Sequence, residues 1–226
     1  IGSKSFTRCV NLENIVLPEG LKRIDDSYES YSNYGAFYGC TSLKSVTSPS
    51  TLEYIGDYAF SQCTSLKKIE MKSGLSSIGQ HAFAYCNRLK EVILPNTLTN
   101  CDGGAFRGCT ALEEITLPKG LKQLGYEYES SNDNMWDYER GVFSGCASLK
   151  KIILPEGLET ISQFTFEQCA NLTEIVIPEG VSFIGKNAFR GCQKLNSVSL
   201  PSTLTRCSTT PFSGCNQLTE IKCLAL

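Results

Sequence analysis

The residues most often used in nucleophilic catalysis are unevenly represented in this chain, which is rich in cysteine and almost without histidine. Its 226 residues include a single histidine, His81, and twelve cysteines. A serine or cysteine nucleophile needs a base beside it, and His81 is the one histidine that could serve. Cys86 lies near it in sequence, but its place in the repeat described below predicts a buried, unreactive thiol. With no Cys-x-x-Cys pair for zinc and no glycine-rich phosphate loop, we expect no catalysis, no cofactor and no metal site.

The cysteines instead mark a repeat. A cysteine closes the motif Phe-x-x-Cys nine times, at intervals of 31, 23, 23, 23, 37, 23, 23 and 23 residues. These positions are Cys9, Cys40, Cys63, Cys86, Cys109, Cys146, Cys169, Cys192 and Cys215. A fixed period of this length predicts a solenoid, in which each unit, or rung, packs on its neighbours. The two longer intervals indicate insertions into an intact period, which we place at residues 25–34 and 126–139.

The three remaining cysteines also occupy apolar positions of the rung. Cys101 and Cys207 replace an isoleucine such as Ile78, and Cys223 replaces a leucine such as Leu200. Equivalent residues on stacked strands would lie about 4.8 Å apart with parallel Cβ vectors, whereas a disulfide needs Cβ atoms that converge to about 3.8 Å. We therefore predict twelve free thiols that fill the core as small hydrophobic residues.

Each rung contains two strand signals and one turn signal. Val92 and Leu94 have the two-residue spacing of a strand with one buried face, and the neighbouring rungs would complete a parallel sheet. A shorter strand follows, as at residues 52–55, and then a glycine such as Gly79, for which we predict a positive φ. The segment Ala-Phe-x-x-Cys predicts a single helical or 3₁₀ turn. Its phenylalanines should stack into an internal column.

The complete unit, Cys-x-x-Leu-x-x-Ile-x-Leu-Pro-x-x-Leu-x-x-Ile-Gly-x-x-Ala-Phe, resembles the BspA-like, Treponema pallidum-type leucine-rich repeats of bacterial surface proteins. Such units cover essentially all 226 residues. The resemblance implies a β-rich α/β leucine-rich-repeat solenoid, built as a right-handed curved superhelix of parallel sheets. We expect one solenoid domain over residues 1–226. The resemblance also implies an extracellular or cell-surface location, and adhesion or binding rather than catalysis.

The two insertions have an unusual composition. They contain eight acidic residues and no basic one, together with six of the ten tyrosines and the only tryptophan. Aromatic residues of this kind anchor recognition surfaces. We therefore predict a lateral groove, walled by the insertions, that binds a cationic peptide or a sugar. Its candidate residues are Tyr28, Tyr31, Tyr34, Tyr58, His81, Gly103, Tyr126, Tyr128, Trp136, Asp137 and Tyr138. The insertions could instead cover an apolar flank of the solenoid, or bind calcium through Asn132, Asp133 and Asp137.

The outward positions of the longer strand form a second candidate surface. Four consecutive rungs place Ile93, Thr116, Ile153 and Val176 there. One interpretation is a ladder of β-branched residues that suit strands, with charges beside it for solubility. The other is a concave protein-binding face, since three of these four residues are apolar where water should be.

Two classes of function follow from these features. The first is a secreted or cell-surface module that recognises a host or matrix macromolecule, either protein or glycan. The second is a structural spacer within a longer surface protein, since the chain starts in the middle of a repeat. A net charge of −2 gives no field that would recruit nucleic acid, and no apolar run is long enough for a membrane helix. We expect a monomer.

Overall fold

The computed structural model describes residues 1–24, 34–125 and 141–223, and within them the chain forms seventeen parallel strands. Nine longer strands are β1 (Asn14–Val16), β3 (Ser45–Thr47), β5 (Lys68–Glu70), β7 (Glu91–Ile93), β9 (Glu114–Thr116), β11 (Lys151–Ile153), β13 (Glu174–Val176), β15 (Ser197–Leu200) and β17 (Glu220–Cys223). Eight two-residue strands alternate with them: β2 (Arg23–Ile24), β4 (Tyr54–Ile55), β6 (Ser77–Ile78), β8 (Asn100–Cys101), β10 (Gln123–Leu124), β12 (Thr160–Ile161), β14 (Phe183–Ile184) and β16 (Arg206–Cys207). The predicted β-rich solenoid of stacked rungs is confirmed.

The longer strands in the middle of the stack bury one side chain in three. In β7 the central Val92 points into the core, while Glu91 and Ile93 face outward. The same pattern repeats in β5, β9, β11 and β13. Pairing keeps equivalent residues in register, with Ile69 opposite Val92 and Glu70 opposite Ile93. The side that these strands present to solvent is called the strand face below.

The hydrogen-bonded ladder of the strand face is interrupted. The strands form four separate groups, β1–β3, β5–β7, β9–β11 and β13–β15–β17. Among the described residues no backbone hydrogen bond joins β3 to β5, β7 to β9 or β11 to β13. The short strands are more continuous, since they form two ladders of four strands each.

The Ala-Phe-x-x-Cys segments are not helical, so the prediction of a helical or 3₁₀ turn is wrong. In these segments alternate N–H groups have different acceptors. Ser61 and Cys63 donate to carbonyls three residues back, whereas Phe60 and Gln62 donate to the following rung at 2.7 and 2.8 Å. A 3₁₀-helix needs consecutive i→i+3 bonds within its own segment. Bonding between rungs therefore replaces helix by a run of turns, and this third hydrogen-bonded column is called the turn ladder.

The phenylalanines of the turn ladder form the predicted column. Neighbouring rings from Phe6 to Phe212 lie 5.0–5.7 Å apart between centroids and are within 20° of parallel. From Phe6 to Phe189 each of these phenylalanines also accepts a hydrogen bond at its carbonyl from the S–H of the next rung's cysteine, as Phe60 does from Cys86 at 3.2 Å. The motif thus joins rungs through backbone, ring and sulfur at once.

The positive φ predicted for the glycine after the short strand is found at Gly125, with a φ of 76°, but not at Gly56, Gly79 or Gly185, which is a second correction. A Cβ atom at Gly79 would come within 2.8 Å of the backbone nitrogen of Asp57 on the preceding rung. Glycine is required here because two backbones approach closely, and not because of a left-handed conformation. The hand of the superhelix, its curvature and the domain and insertion boundaries stay predictions.

Candidate functional site

Most residues of the predicted lateral groove lie outside the described part of the chain. They are Tyr28, Tyr31, Tyr126, Tyr128, Trp136, Asp137 and Tyr138. The alternative calcium ligands Asn132, Asp133 and Asp137 also lie outside it. Of the described residues, Tyr34 packs edge-on against Tyr38, with ring centroids 4.8 Å apart, and lies 5.4 Å from the guanidinium of Arg8.

The three remaining groove residues lie together on three adjacent rungs of the solenoid. The rings of Tyr58 and His81 stack at 4.9 Å, and the N–H of His81 donates to the carbonyl of Gly103 at 3.1 Å. His81 and Gly103 are buried, and Tyr58 is half-buried. Tyr58 and His81 occupy equivalent positions on adjacent rungs. On the following rung that position is Gly104, which has a φ of 69°. Tyr58 and His81 lie side by side, as the predicted groove requires. Their role as the floor of a groove stays a prediction.

Most thiols of the chain are buried and protected from reaction. All twelve cysteines are free, and eight of them are buried. Burial raises the pKa of Cys40 to about 11 and the pKa values of Cys86 and Cys146 to about 12. A protonated, buried thiol is neither a nucleophile nor a metal ligand at neutral pH. Within the described residues, no group of three or more His, Cys, Asp or Glu side chains is placed to hold a metal ion.

Four cysteines depart from the prediction that every thiol lies in the core. Cys9, Cys207 and Cys223 are exposed, and Cys215 is half-buried. Their positions in the repeat are as predicted, since Cys207 is in register with Ile184 and Cys223 with Leu200. They stand on the outermost rungs of the stack, where a neighbouring rung covers them on one side only. Repeat position alone therefore does not determine burial.

The strand face presents its apolar side chains to solvent. Ile93 is 41% exposed, Ile153 51% and Val176 60%, and Thr116 lies in line with them. Two depressions contain these residues. One of about 420 Å³ lies between β7 and β9 and contains Ile93 and Thr116. The other, of about 280 Å³, lies between β11 and β13 and contains Ile153 and Val176.

Both depressions, called the strand grooves, coincide with interruptions of the ladder. The strands on either side of each groove are the pairs that exchange no backbone hydrogen bond among the described residues. Adjacent strands that do not pair leave space between them, and side chains of both rungs then line that space. The four residues that the sequence proposed for this face are therefore brought together in two pairs.

The strand face carries charges of both signs: Lys90, Glu91 and Glu114 line one strand groove, Lys151 and Glu174 line the other, and ion pairs lie nearby. Lys68 and Glu91 on adjacent strands are 2.7 Å apart, and Lys150 and Glu113 are 2.6 Å apart. These pairs are exposed to solvent, so they contribute little to stability. Their effect on the surface is that no single sign of charge dominates around the apolar residues.

A third depression, on the turn ladder, was missed by the sequence analysis. It has a volume of about 580 Å³ and is lined by side chains from five consecutive rungs, including Tyr85, Arg107, Gly108, Gly145, Glu167 and Arg190. We call it the turn-face trough. The sequence indicates this depression only when the residues that precede the motif cysteines are compared between rungs. In four consecutive rungs, two glycines at this position lie between Tyr85 and Gln168.

Comparison with known proteins places this repeat in a family. The model of the BspA type leucine rich repeat region, a unit of 6 copies, matches residues 1–135 and 137–225. The chain therefore belongs to the BspA type leucine-rich repeat family. Membership gives it a protein-binding or surface-scaffold role, in a repeat fold for which no catalytic function is indicated.

Solved structures of bacterial proteins show the same repeat. A leucine-rich repeat protein from Bacteroides ovatus is 30% identical with a TM-score of 0.78, and the match covers 98% of this chain and 57% of that one. A leucine rich cell surface protein from Faecalibacterium prausnitzii is 21% identical over 96% and 89% of the two chains, with a TM-score of 0.41. A T. pallidum leucine rich repeat protein is 27% identical over 76% and 63%, with a TM-score of 0.43. No curated protein matches the chain.

The chain thus spans a little over half of the B. ovatus protein, at 57% of its length. The described residues contain no helix long and apolar enough to cross a membrane.

Proposed function

We propose that this chain is the binding module of a bacterial surface protein, and that its strand face engages a protein on a host or matrix surface. The observation that carries the proposal is the coincidence of the strand grooves with the exposed residues Ile93, Ile153 and Val176. Family membership supports binding as the general role. A surface location accords with the description of the F. prausnitzii protein as a cell surface protein.

The strand grooves have the features of anchor sites. Each combines apolar side chains with backbone from two rungs, so a partner's side chain that entered it would contact both rungs. Burying apolar surface contributes about 25 cal/mol per Å². Two grooves on one face allow two anchors of the same partner to bind together, which would fix its orientation.

The charges indicate the chemistry of the partner. Because Lys68 pairs with Glu91 and Lys150 with Glu113, the face would neither attract a polyanion nor repel it strongly. Nucleic acids and sulfated polymers bind through uncompensated basic residues. An apolar face with a compensated rim instead fits a folded protein that carries exposed aliphatic or aromatic side chains.

The proposal is tested by replacing one anchor residue in each groove. We expect the native chain to bind at least one member of a panel of purified extracellular-matrix proteins in surface plasmon resonance. Changing Ile93→Lys and Ile153→Lys together should weaken that binding by about 100-fold, since anchor residues typically contribute more than about 1 kcal/mol each. The melting temperature should stay close to the native value, because both side chains are exposed.

Val16→Lys is the matched control. Val16 occupies the same outward strand position and is 78% exposed, but it lines neither groove. It should leave binding unchanged. If binding survives the double variant and is lost in Trp136→Ala with Tyr31→Ala, the insertions form the site and the strand face does not. If no matrix protein binds the native chain, the binding proposal fails and the spacer interpretation is favoured.

A further inference from the structure

The turn-face trough is shaped by a column of residues with unusual backbone geometry. The residue that precedes each motif cysteine has a positive φ in all nine rungs. In four consecutive rungs this residue is Tyr85, Gly108, Gly145 and Gln168. The two glycines leave out the side chains that would fill the middle of the column. A trough of about 580 Å³ results, which lies within the range of about 300–1,000 Å³ typical of small-ligand sites.

One wall of the trough holds an ion pair between a buried carboxylate and a half-exposed guanidinium. Glu167 is 6% exposed, and its Oε1 accepts a hydrogen bond from Arg190 Nη1 at 3.1 Å. Its Oε2 accepts from Ser144 Oγ at 3.5 Å, which is at the outer limit of a hydrogen bond and leaves that oxygen with acceptor capacity. The side chain of Arg190 is 47% exposed, so its remaining N–H donors reach the trough. A planar acceptor and a planar donor are therefore fixed side by side.

The opposite wall is aromatic. The Tyr85 side chain is 39% exposed, and its hydroxyl accepts a hydrogen bond from Arg107 Nε at 2.9 Å. The guanidinium carbon of Arg107 lies 5.9 Å from the ring centroid. This contact holds the ring in place beside Gly108, whose added Cβ would come within 2.6 Å of it. Tyr85 thus presents a positioned apolar ring next to polar groups, and the exposed amides of Asn87 and Gln168 add further donors and acceptors.

We propose that the turn-face trough binds a saccharide unit of a glycan chain. Neighbouring hydroxyls of a sugar ring both donate and accept, which matches a carboxylate and a guanidinium held side by side. The C–H face of the ring would pack on Tyr85. The charged residues that line the trough are two arginines, Arg107 and Arg190, and one carboxylate, Glu167, which pairs with Arg190, so the trough lacks the cluster of uncompensated basic residues that binds a polyanion. The site shares no lining residue with the strand grooves, so it is independent of the protein-binding surface proposed above.

The test is calorimetric titration with tetrasaccharides of glucose, mannose, galactose, N-acetylglucosamine and galacturonic acid. At least one should bind the native chain, and Tyr85→Ala should weaken it about 10-fold or more. Gly145→Gln should have a similar effect by filling the trough. This substitution is sterically possible, because the nearest atoms to an added Cβ are 3.7 Å away and glutamine already occupies the same conformation at Gln168.

Gly214→Gln is the matched control. Gly214 stands in the same column with a φ of 76° and has its nearest neighbours at 3.4 Å, but it does not line the trough. It should leave sugar binding unchanged, and so should Ile93→Lys with Ile153→Lys. Failure of all five tetrasaccharides to bind would overturn the proposal. Binding that persists in both Tyr85→Ala and Gly145→Gln would also overturn it, as would binding of tetraglutamate in place of every sugar.

Discussion

The strand face and the turn ladder run along the same rungs, but they connect those rungs differently. The strand face is interrupted between β3 and β5, β7 and β9, and β11 and β13. The turn ladder crosses all three junctions, because Phe37, Phe83 and Phe143 each donate a backbone hydrogen bond of 2.8–2.9 Å to the following rung. Stacked rings and buried thiols accompany these bonds at every junction. Cohesion between rungs at the interruptions is therefore supplied by the turn ladder together with the short strands, because β4 pairs with β6 and β12 with β14 across two of the junctions, and Gly125 donates to the carbonyl of Cys101 across the third.

This division explains how an exposed surface can vary without loss of the fold. In a solenoid each rung is stabilised by its interfaces with two neighbours. If the turn ladder supplies most of that interface, the outward positions of the strands are free to carry residues chosen for binding. The interruptions that open the strand grooves are then tolerated because the phenylalanine column holds the rungs in register.

The largest expected effect comes from removing one ring of the turn ladder. Phe83 is fully buried between rings 5.3 and 5.5 Å away. Phe83→Ala should lower the free energy of unfolding by about 3–5 kcal/mol, since it removes a buried ring and leaves a cavity. Urea denaturation followed by circular dichroism measures this change.

Two controls compare the regions directly. Phe6 is 41% exposed and has one stacked neighbour among the described rings, so Phe6→Ala should have a much smaller effect. Ile93→Lys on the strand face should change the free energy of unfolding by no more than about 0.5 kcal/mol. If Ile93→Lys destabilises the chain as much as Phe83→Ala, cohesion is not concentrated in the turn ladder.

Thiol labelling is expected to show an effect of intermediate size. It measures whether the cysteines packed between rungs are accessible to a reagent in the folded chain. At pH 8 and without reductant, a disulfide-exchange reagent should react quickly with the exposed Cys9, Cys207 and Cys223 and slowly with Cys215. The eight buried thiols should react only on unfolding, since burial keeps them protonated and inaccessible. In denaturant all twelve should react. Fewer than about ten reactive thiols in the unfolded chain would show that disulfides form, which the strand spacing argues against.

The comparison also shows which features the sequence could predict. Residues that recur in every rung, such as the phenylalanines and the central strand residue Val92, were placed correctly because periodicity reports on burial. The helical turn was predicted wrongly because a local pattern does not reveal whether an N–H group bonds to its own segment or to the next rung. The same limit applies to Gly79, whose requirement is a close approach between rungs.

The candidate sites differ in the same way. Ile93 and Ile153 could be identified because apolar residues at outward strand positions are conspicuous. The grooves beside them depend on which strands pair, and no residue pattern indicated the interruptions. The turn-face trough joins residues from Tyr85 to Arg190, far apart in the chain and from different rungs. Comparing equivalent positions of successive rungs, rather than the residues within one rung, would have identified Gly108 and Gly145.

The smallest expected effect concerns the buried carboxylate of Glu167 on the turn ladder. Burial raises the pKa of Glu167, and this outweighs the opposite influence of Arg190 and Arg107. A pKa that is higher in the folded state than in the unfolded state means that protonation stabilises the fold. This contribution is fully present below the unfolded pKa, which is about 4.3, and is lost as the pH rises through the raised folded pKa.

Comparison with Glu167→Gln isolates the effect, because glutamine has a similar shape and does not titrate in this range. As the pH rises from about 4 to about 8, the melting temperature of the native chain should fall relative to that of Glu167→Gln. Glu174→Gln, at an exposed position on the strand face, controls for the loss of a surface carboxylate and should not reproduce the change. If the native chain instead gains stability relative to Glu167→Gln as the pH rises, the ion pair with Arg190 outweighs burial. The turn side would then be stabilised by that charge pair rather than merely tolerating it.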